Sequence, residues 1–332
     1  MSKKSRDRSW PPPPATPLPH PVVDNHTHLD FVDDVLEPGV AVPSIAEHLD
    51  AAAAAGVDRL VQIGCDLPSA RTTAAWTTRY PFLGGVAIHP NEAPLHAGVL
   101  EIGPDGLEPR PQSHHRIDLE AAIAEIADLA RSHDNIRVIG ETGLDKFRTG
   151  ERGLAAQTES FRAHIALAKE LGLALQIHDR DAHREVLDVL QRDGAPERTV
   201  FHCFSGDRAM AEFCAGQGWY LSFAGPVTYK SNDELRAALR AVPLSRVLVE
   251  TDAPFLPPHP YRGRPNAPYL AALTVRAMAE YRDEDLAHVC STISETSEQI
   301  YGPWPAHLGR ELPELPSAVD GGIMPKLGPS PQ

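Results

Sequence analysis

Val138-Ile139-Gly140-Glu141-Thr142-Gly143-Leu144-Asp145 is an apolar run that ends on a carboxylate. A charged group placed behind Val and Ile is costly to bury unless it is paired or coordinates a cation, so Glu141 reads as the working end of a strand. The same construction recurs on both sides. Upstream, Asp24-Asn25-His26-Thr27-His28-Leu29 closes one apolar run; downstream, Leu175-Gln176-Ile177-His178-Asp179-Arg180, Val200-Phe201-His202 and Val247-Leu248-Val249-Glu250-Thr251-Asp252 close three more.

This recurrence predicts a fold. Short runs rich in Val, Ile and Leu at 22–29, 59–65, 82–89, 138–144, 173–178, 199–204, 220–224 and 246–251 alternate with helical periodicity at 44–55, 117–132, 157–171, 182–191 and 233–241. Apolar runs without strict alternation indicate parallel strands covered on both faces. Eight such βα units predict an α/β protein, a single-domain (β/α)8 TIM barrel, whose sites lie at the carboxyl ends of its strands. A doubly wound sheet is the main rival, but no GxGxxG follows the first strand. The barrel is expected over 22–302, with an irregular insertion containing Pro, Gly and His at 95–116 and an extra helix at 283–300. Residues 1–21, basic and with a proline run, are expected to be a disordered tail, and 303–332 a loosely ordered one.

A chain of 332 residues, 42% hydrophobic and 23% charged, has the composition of a globular protein with a sizeable core. No stretch has the length and apolarity of a secretory signal or a membrane span, which predicts a cytoplasmic protein with no membrane contact. The four cysteines, Cys65, Cys203, Cys214 and Cys290, form no CxxC pair and read as free thiols. A net charge of −14 disfavours a broad basic surface for nucleic acid, although cations held in a cleft supply positive charge locally. Nothing in the sequence points to an obligate protein partner.

His26 and His28 form an HxH pair, and in an extended chain alternate side chains share a face, so both imidazoles can reach one ion. Taken singly, each strand-end residue has a plainer role: an exposed histidine, a hydrogen-bonded core histidine, or, for Asp252, a cap on the following turn. Recurrence at strand after strand favours a shared centre. His26, His28, His178, His202, Glu141 and Asp252 offer more donors than one tetrahedral ion uses, which points to two divalent cations bridged by a carboxylate, with Glu141 as the bridge. Nitrogen and oxygen donors without thiolate suit Zn, Mn or Mg, and histidine weights the choice toward the first two.

These motifs, in order, resemble the TatD family of metal-dependent deoxyribonucleases within the amidohydrolase-like barrels. The resemblance rests on HxHLD from His26, IHP from Ile88, GETGLD from Gly140, IHDRDA from Ile177, HCFSG from His202, ETDAPFL from Glu250 and RGxPNxP from Arg262. It implies metal binding at the six residues just named and cleavage of DNA phosphodiester bonds, as a 3′–5′ exonuclease on single strands. Related barrels place a carbamylated lysine at the end of the fourth strand. Here that position is Glu141, and Lys146 lies beyond it in the next loop, which favours the TatD reading. The insertion at 95–116 lies outside the family pattern.

In such a mechanism Asp252 would orient a water and accept its proton as general base, with Glu141 beside it. His89, Arg180, Lys230, Arg262 and Asn266 are candidate phosphate contacts, and Phe255 and Tyr261 candidates for base stacking. Two other functions fit less of the sequence. A hydrolase of a small ester, lactone or amide would use the same cations and suits the low basic content. A non-catalytic scaffold leaves the ligand set without a role.

Overall fold

The computed structural model describes residues 8–32, 36 and 40–305. Its centre is a parallel sheet of eight strands in chain order: β1 (Val22–Thr27), β2 (Val57–Gly64), β3 (Leu83–Val86), β4 (Ile136–Asp145), β5 (Ala174–Arg180), β6 (Thr199–Phe201), β7 (Tyr220–Phe223) and β8 (Val247–Val249). The last strand returns to the first. Thr27 bridges Ala253, the Asp252 amide donates to His26 O at 2.9 Å, and the His28 amide donates to Ala253 O at 2.6 Å. Side chains complete this seam: Asn25 Nδ2 donates to Val249 O at 2.7 Å, and Asp24 accepts the Thr251 amide at 2.8 Å. The result is the expected (β/α)8 barrel.

The helices are α1 (Ile45–Ala55), α2 (Leu67–Trp76), the single turn α3 (Ala93–His96), α4 (Leu119–Ser132), α5 (Glu151–Leu171), α6 (His183–Asp193), α7 (Arg208–Gly216), α8 (Asp233–Ala241), α9 (Ala271–Arg282) and α10 (Leu286–Tyr301). Side chains of Ser44, Asp66, Asp118, Asp207 and Asp285 cap their helix starts by accepting free amides. Helix α5 starts well before the expected 157 because its N-cap is Gly150, which offers no side-chain cap and so no sequence signal. Between helices and strands lies an outer apolar layer; inside the barrel Val23, Val61, Ile63, Leu83, Val138, Ala174, Val200 and Leu248 form an inner one. The end of α10 closes the floor with Ile300 and Tyr301, and Trp304 donates to Leu60 O at 3.2 Å.

The expectation of a disordered tail over 1–21 does not hold for 8–21. Leu18 is buried and bonds Ala55 O through its amide at 3.0 Å, the Trp10 indole donates to Ala41 O at 3.0 Å, and the Pro11 carbonyl accepts the Tyr269 hydroxyl at 2.6 Å. Arg276 binds the carbonyls of Thr16 and Pro17 at 2.9 Å. Prolines lose little backbone freedom on ordering and leave their carbonyls free to accept, so two apolar anchors suffice to lay this strap along the barrel. Residues 1–7, and 306–332 of the expected C-terminal tail, lie outside the described residues. No helix among the described residues is long and apolar enough to cross a membrane.

Candidate metal centre

All six expected ligands converge at the carboxyl ends of the strands. β1 carries His26 inward, and His28, just past its end, points the same way, with ring centroids 4.8 Å apart. β4 supplies Glu141 and β5 His178; His202 follows β6 and Asp252 follows β8. Asp252 holds a φ of 57°, an uncommon conformation for a residue other than glycine and of a kind that collects at functional sites.

Glu141 divides its two oxygens between the others. Oε1 lies 3.5 Å from His26 Nε2 and 3.4 Å from His28 Nε2, and the same nitrogen of His28 is 3.3 Å from Asp252 Oδ1. Oε2 lies 2.8 Å from His202 Nε2 and 3.0 Å from His178 Nδ1. Gly143 makes room for this crossing, since its φ is +145° and a Cβ there would stand 2.0 Å from His178 O. The donors fall into two groups, His26, His28 and Asp252 beside one oxygen of Glu141 and His178 and His202 beside the other, and their chemistry fits divalent cations. Groups drawn from these residues have ligand atoms within 4.8 Å of one another.

Each ring is held from behind. His26 Nδ1 is 2.7 Å from Gln176 Oε1, His28 Nδ1 is 3.0 Å from Ile63 O, and His202 Nδ1 is 3.2 Å from Glu250 Oε1. His178 Nε2 is 3.3 Å from Asp145 Oδ2. Such outer partners set tautomer and ring angle. Gln176 also donates to Tyr301 Oη at 2.8 Å, tying the centre to the barrel floor. Asp145, Gln176, Glu250 and the thiol of Cys65, 3.3 Å from Glu141 Oε1, join the site without having been expected there from sequence. A signal existed for two of them, since Gln176 is a polar group within an apolar run of β5 and Glu250 directly follows the apolar β8.

Electrostatics agree with a cation-binding cluster. Burial disfavours the charge of Glu141, yet the surrounding imidazoles of His202, His89 and His178 hold its pKa well below the usual range. Burial likewise opposes protonation of His178, but Asp145 and Glu141 outweigh it and raise the ring to about 9. Burial pushes His26 down, and His89 down to about 4. Carboxylates here draw in positive charge, and a histidine must be neutral to ligate, so cation binding displaces protons.

The candidate substrate contacts are placed unequally. His89 belongs to the centre, with Nε2 3.3 Å from His178 Nδ1 and 3.6 Å from Glu141 Oε2. Arg180 stacks on Phe147 at 4.2 Å, Arg262 stands exposed over Tyr229 at 4.9 Å, and Lys230 is exposed in the loop after β7. Asn266 differs: it is buried and its amide donates to Thr251 O at 2.8 Å and Phe255 O at 2.6 Å, so it shapes the loop after β8. Phe255 packs edge-on to His28 at 6.2 Å, whereas Tyr261 lies under Arg264 at 5.2 Å. Lys146 points away to Glu185 at 2.6 Å.

A family model described as TatD related DNase matches residues 23–302. The chain belongs to the TatD family. Two relatives agree: an uncharacterized metal-dependent hydrolase, TatD, from Mycobacterium tuberculosis is 39% identical over 85% of this chain and 98% of its own length, and one from Bacillus subtilis, YabD, is 31% identical over 84% and 98%. Among solved structures, YjjV, a TatD homolog from Escherichia coli, superposes with a TM-score of 0.71 at 24% identity, covering 85% of this chain and 98% of that one. TatD membership makes the chain a metal-dependent hydrolase on a TIM barrel.

Proposed function

We propose that the chain hydrolyses DNA phosphodiester bonds, removing nucleotides from the 3′ end of single strands with a water activated between two divalent cations of Zn, Mn or Mg. The observation that carries the hydrolytic reading is the division of Glu141 between His26, His28 and Asp252 on one side and His178 and His202 on the other. DNA as the substrate is supported by the family description and by Arg180, Lys230 and Arg262 at the same rim.

Cations held there would supply Lewis-acid polarisation of the phosphate and lower the pKa of a bound water. The chain's own groups do the rest. Asp252 orients the water and takes its proton. His89 is neutral at pH 7, and its Nδ1 accepts the Asn91 amide at 2.9 Å, so the proton sits on Nε2 and can be donated to a phosphate oxygen. Arg180 and Arg262, each resting on an aromatic face, can hold non-bridging oxygens of flanking phosphates.

The test is metal-reconstituted protein assayed on single-stranded DNA with free or blocked 3′ ends, before and after chelation. Asp252→Asn should lower kcat by about 10²–10⁴-fold, the usual range for a lost general base, while KM stays nearly constant. Equal losses in both would overturn the assignment of Asp252. The net charge of −14 favours a second reading, hydrolysis of a small ester, lactone or amide. Turnover of such substrates with none of DNA would establish it in place of the first.

A further inference from the structure

The insertion assembles a second group of ligand-type side chains outside the set shared by Glu141. His96 ends α3, His114 and His115 lie on the 3-10 turn Ser113–Arg116, Glu92 immediately precedes α3, and Asp66 caps α2. One donor atom each from His96, His114 and His115 lies within 4.8 Å of the others, and the same holds for Asp66, Glu92 and His114.

Hydrogen bonds sort these residues by role. His96 Nδ1 is 2.7 Å from Ile117 O, a pure acceptor, so the proton sits on Nδ1 and the lone pair on Nε2. That Nε2 has no partner, although the residue is only 4% exposed. A buried polar atom without a partner is unfavourable. A ring anchored on a backbone carbonyl with its other nitrogen free is how metal-ligating histidines are held. His115 is arranged the other way: Nδ1 accepts the Gln112 amide at 2.7 Å, leaving the proton on Nε2 to be donated to Glu92 Oε2 at 2.6 Å. It orients the carboxylate. His114 Nε2 lies 3.3 Å from that same oxygen.

We propose that His96, His114, Glu92 and Asp66 bind one divalent transition-metal ion of the zinc class, separate from the barrel pair, with His115 as the residue that positions Glu92. Two imidazoles and two carboxylates make a donor set suited to tetrahedral zinc. The ion joins the loops after β2 and β3 to the far end of the insertion. Because the Glu92 amide donates to His89 O at 2.9 Å, the site also braces the loop that carries His89 into the barrel centre.

Zinc content per chain, measured after loading and dialysis, tests this. His96→Gln and His114→Gln should each hold one zinc fewer than wild type. Glu141→Gln, which weakens the barrel centre, should keep that zinc and, loaded with cobalt(II), show the visible bands of a tetrahedral ion, which are absent from Glu141→Gln/His96→Gln. His115→Ala should keep the stoichiometry at saturation and weaken zinc binding by about 10–100-fold, the usual effect of losing an outer partner. Wild-type zinc content in His96→Gln, or no retained zinc in Glu141→Gln, overturns the proposal. Should the histidine variants fail to fold, trypsin decides on Glu141→Gln alone: zinc must slow cleavage after the exposed Arg116, which ends the turn carrying His114, and an unchanged rate refutes the site.

Discussion

Glu250 shows how much of this centre is decided by single groups that touch no substrate. It is fully buried, accepts the Cys203 amide at 2.8 Å, and fixes the angle of His202 through Nδ1. Glu250→Gln removes the charge and lets the amide compete for either ring state. Metal affinity should fall by about 10–100-fold, with activity recovered at high metal concentration. Titration of the apo protein by calorimetry checks this, and unchanged affinity would make Glu250 a packing residue only. The six residues that converge were legible in the sequence as a group because polar groups that end one apolar strand after another are costly to bury unless they are paired or meet a cation. Asp145 and Cys65 were not, since their meaning depends on groups contributed by other strands. Asn266 misled for the converse reason: an asparagine in a proline-rich loop looks available, and only the fold shows both its donors spent on carbonyls.

At the scale of elements, barrel and helices were readable because apolar runs and capping residues are local signals, whereas the ordering of 8–21 depends on distant partners such as Tyr269 and Arg276. Helix α5 braces the end of β3 through one side chain. His164 donates from Nδ1 to Ser160 O at 2.8 Å and accepts the Ile88 amide on Nε2 at 3.2 Å, and burial lowers its pKa from 6.5 to about 4. His164→Phe strands that amide and should cost about 1–3 kcal/mol at pH 7. The pH dependence has a definite sign. Above pH 6.5 the ring is neutral in both states; as pH falls toward 4 only the unfolded chain takes up the proton, so the native wild type loses stability that the variant never had. The difference between the two in urea unfolding should therefore narrow steadily from pH 7 to pH 4. A constant gap would show that His164 does not accept from Ile88.

For the molecule as a whole, charge decides how a polyanion can approach. With a net charge of −14, the proposed DNA contact rests, among the described residues, on the rim cations. Arg180, Lys230 and Arg262, at about 0.7 per neutralised phosphate on single strands, set a limit near −2 for the slope of log affinity against log salt. Binding of a fluorescent oligonucleotide to the Asp252→Asn protein measures it, and a much steeper slope would show that further basic residues take part. The floor of the barrel is equally a whole-molecule feature, since Trp304 packs beneath it. Ending the chain after Gly302 should lower stability by about 1–3 kcal/mol relative to ending it after Pro305, the value of burying one large apolar side chain. Equal urea midpoints would mean that Trp304 adds nothing to the floor.

The seam between β1 and β8 has a consequence for how the protein comes into being. His26 is near the beginning of the polypeptide and Asp252 near its end, and they become neighbours only when the final strand docks against the first. During translation the earliest imidazoles leave the ribosome long before their acidic counterpart exists. Assembly of the group formed by His26, His28 and Asp252 is therefore a late event, reserved for chains whose synthesis is all but finished.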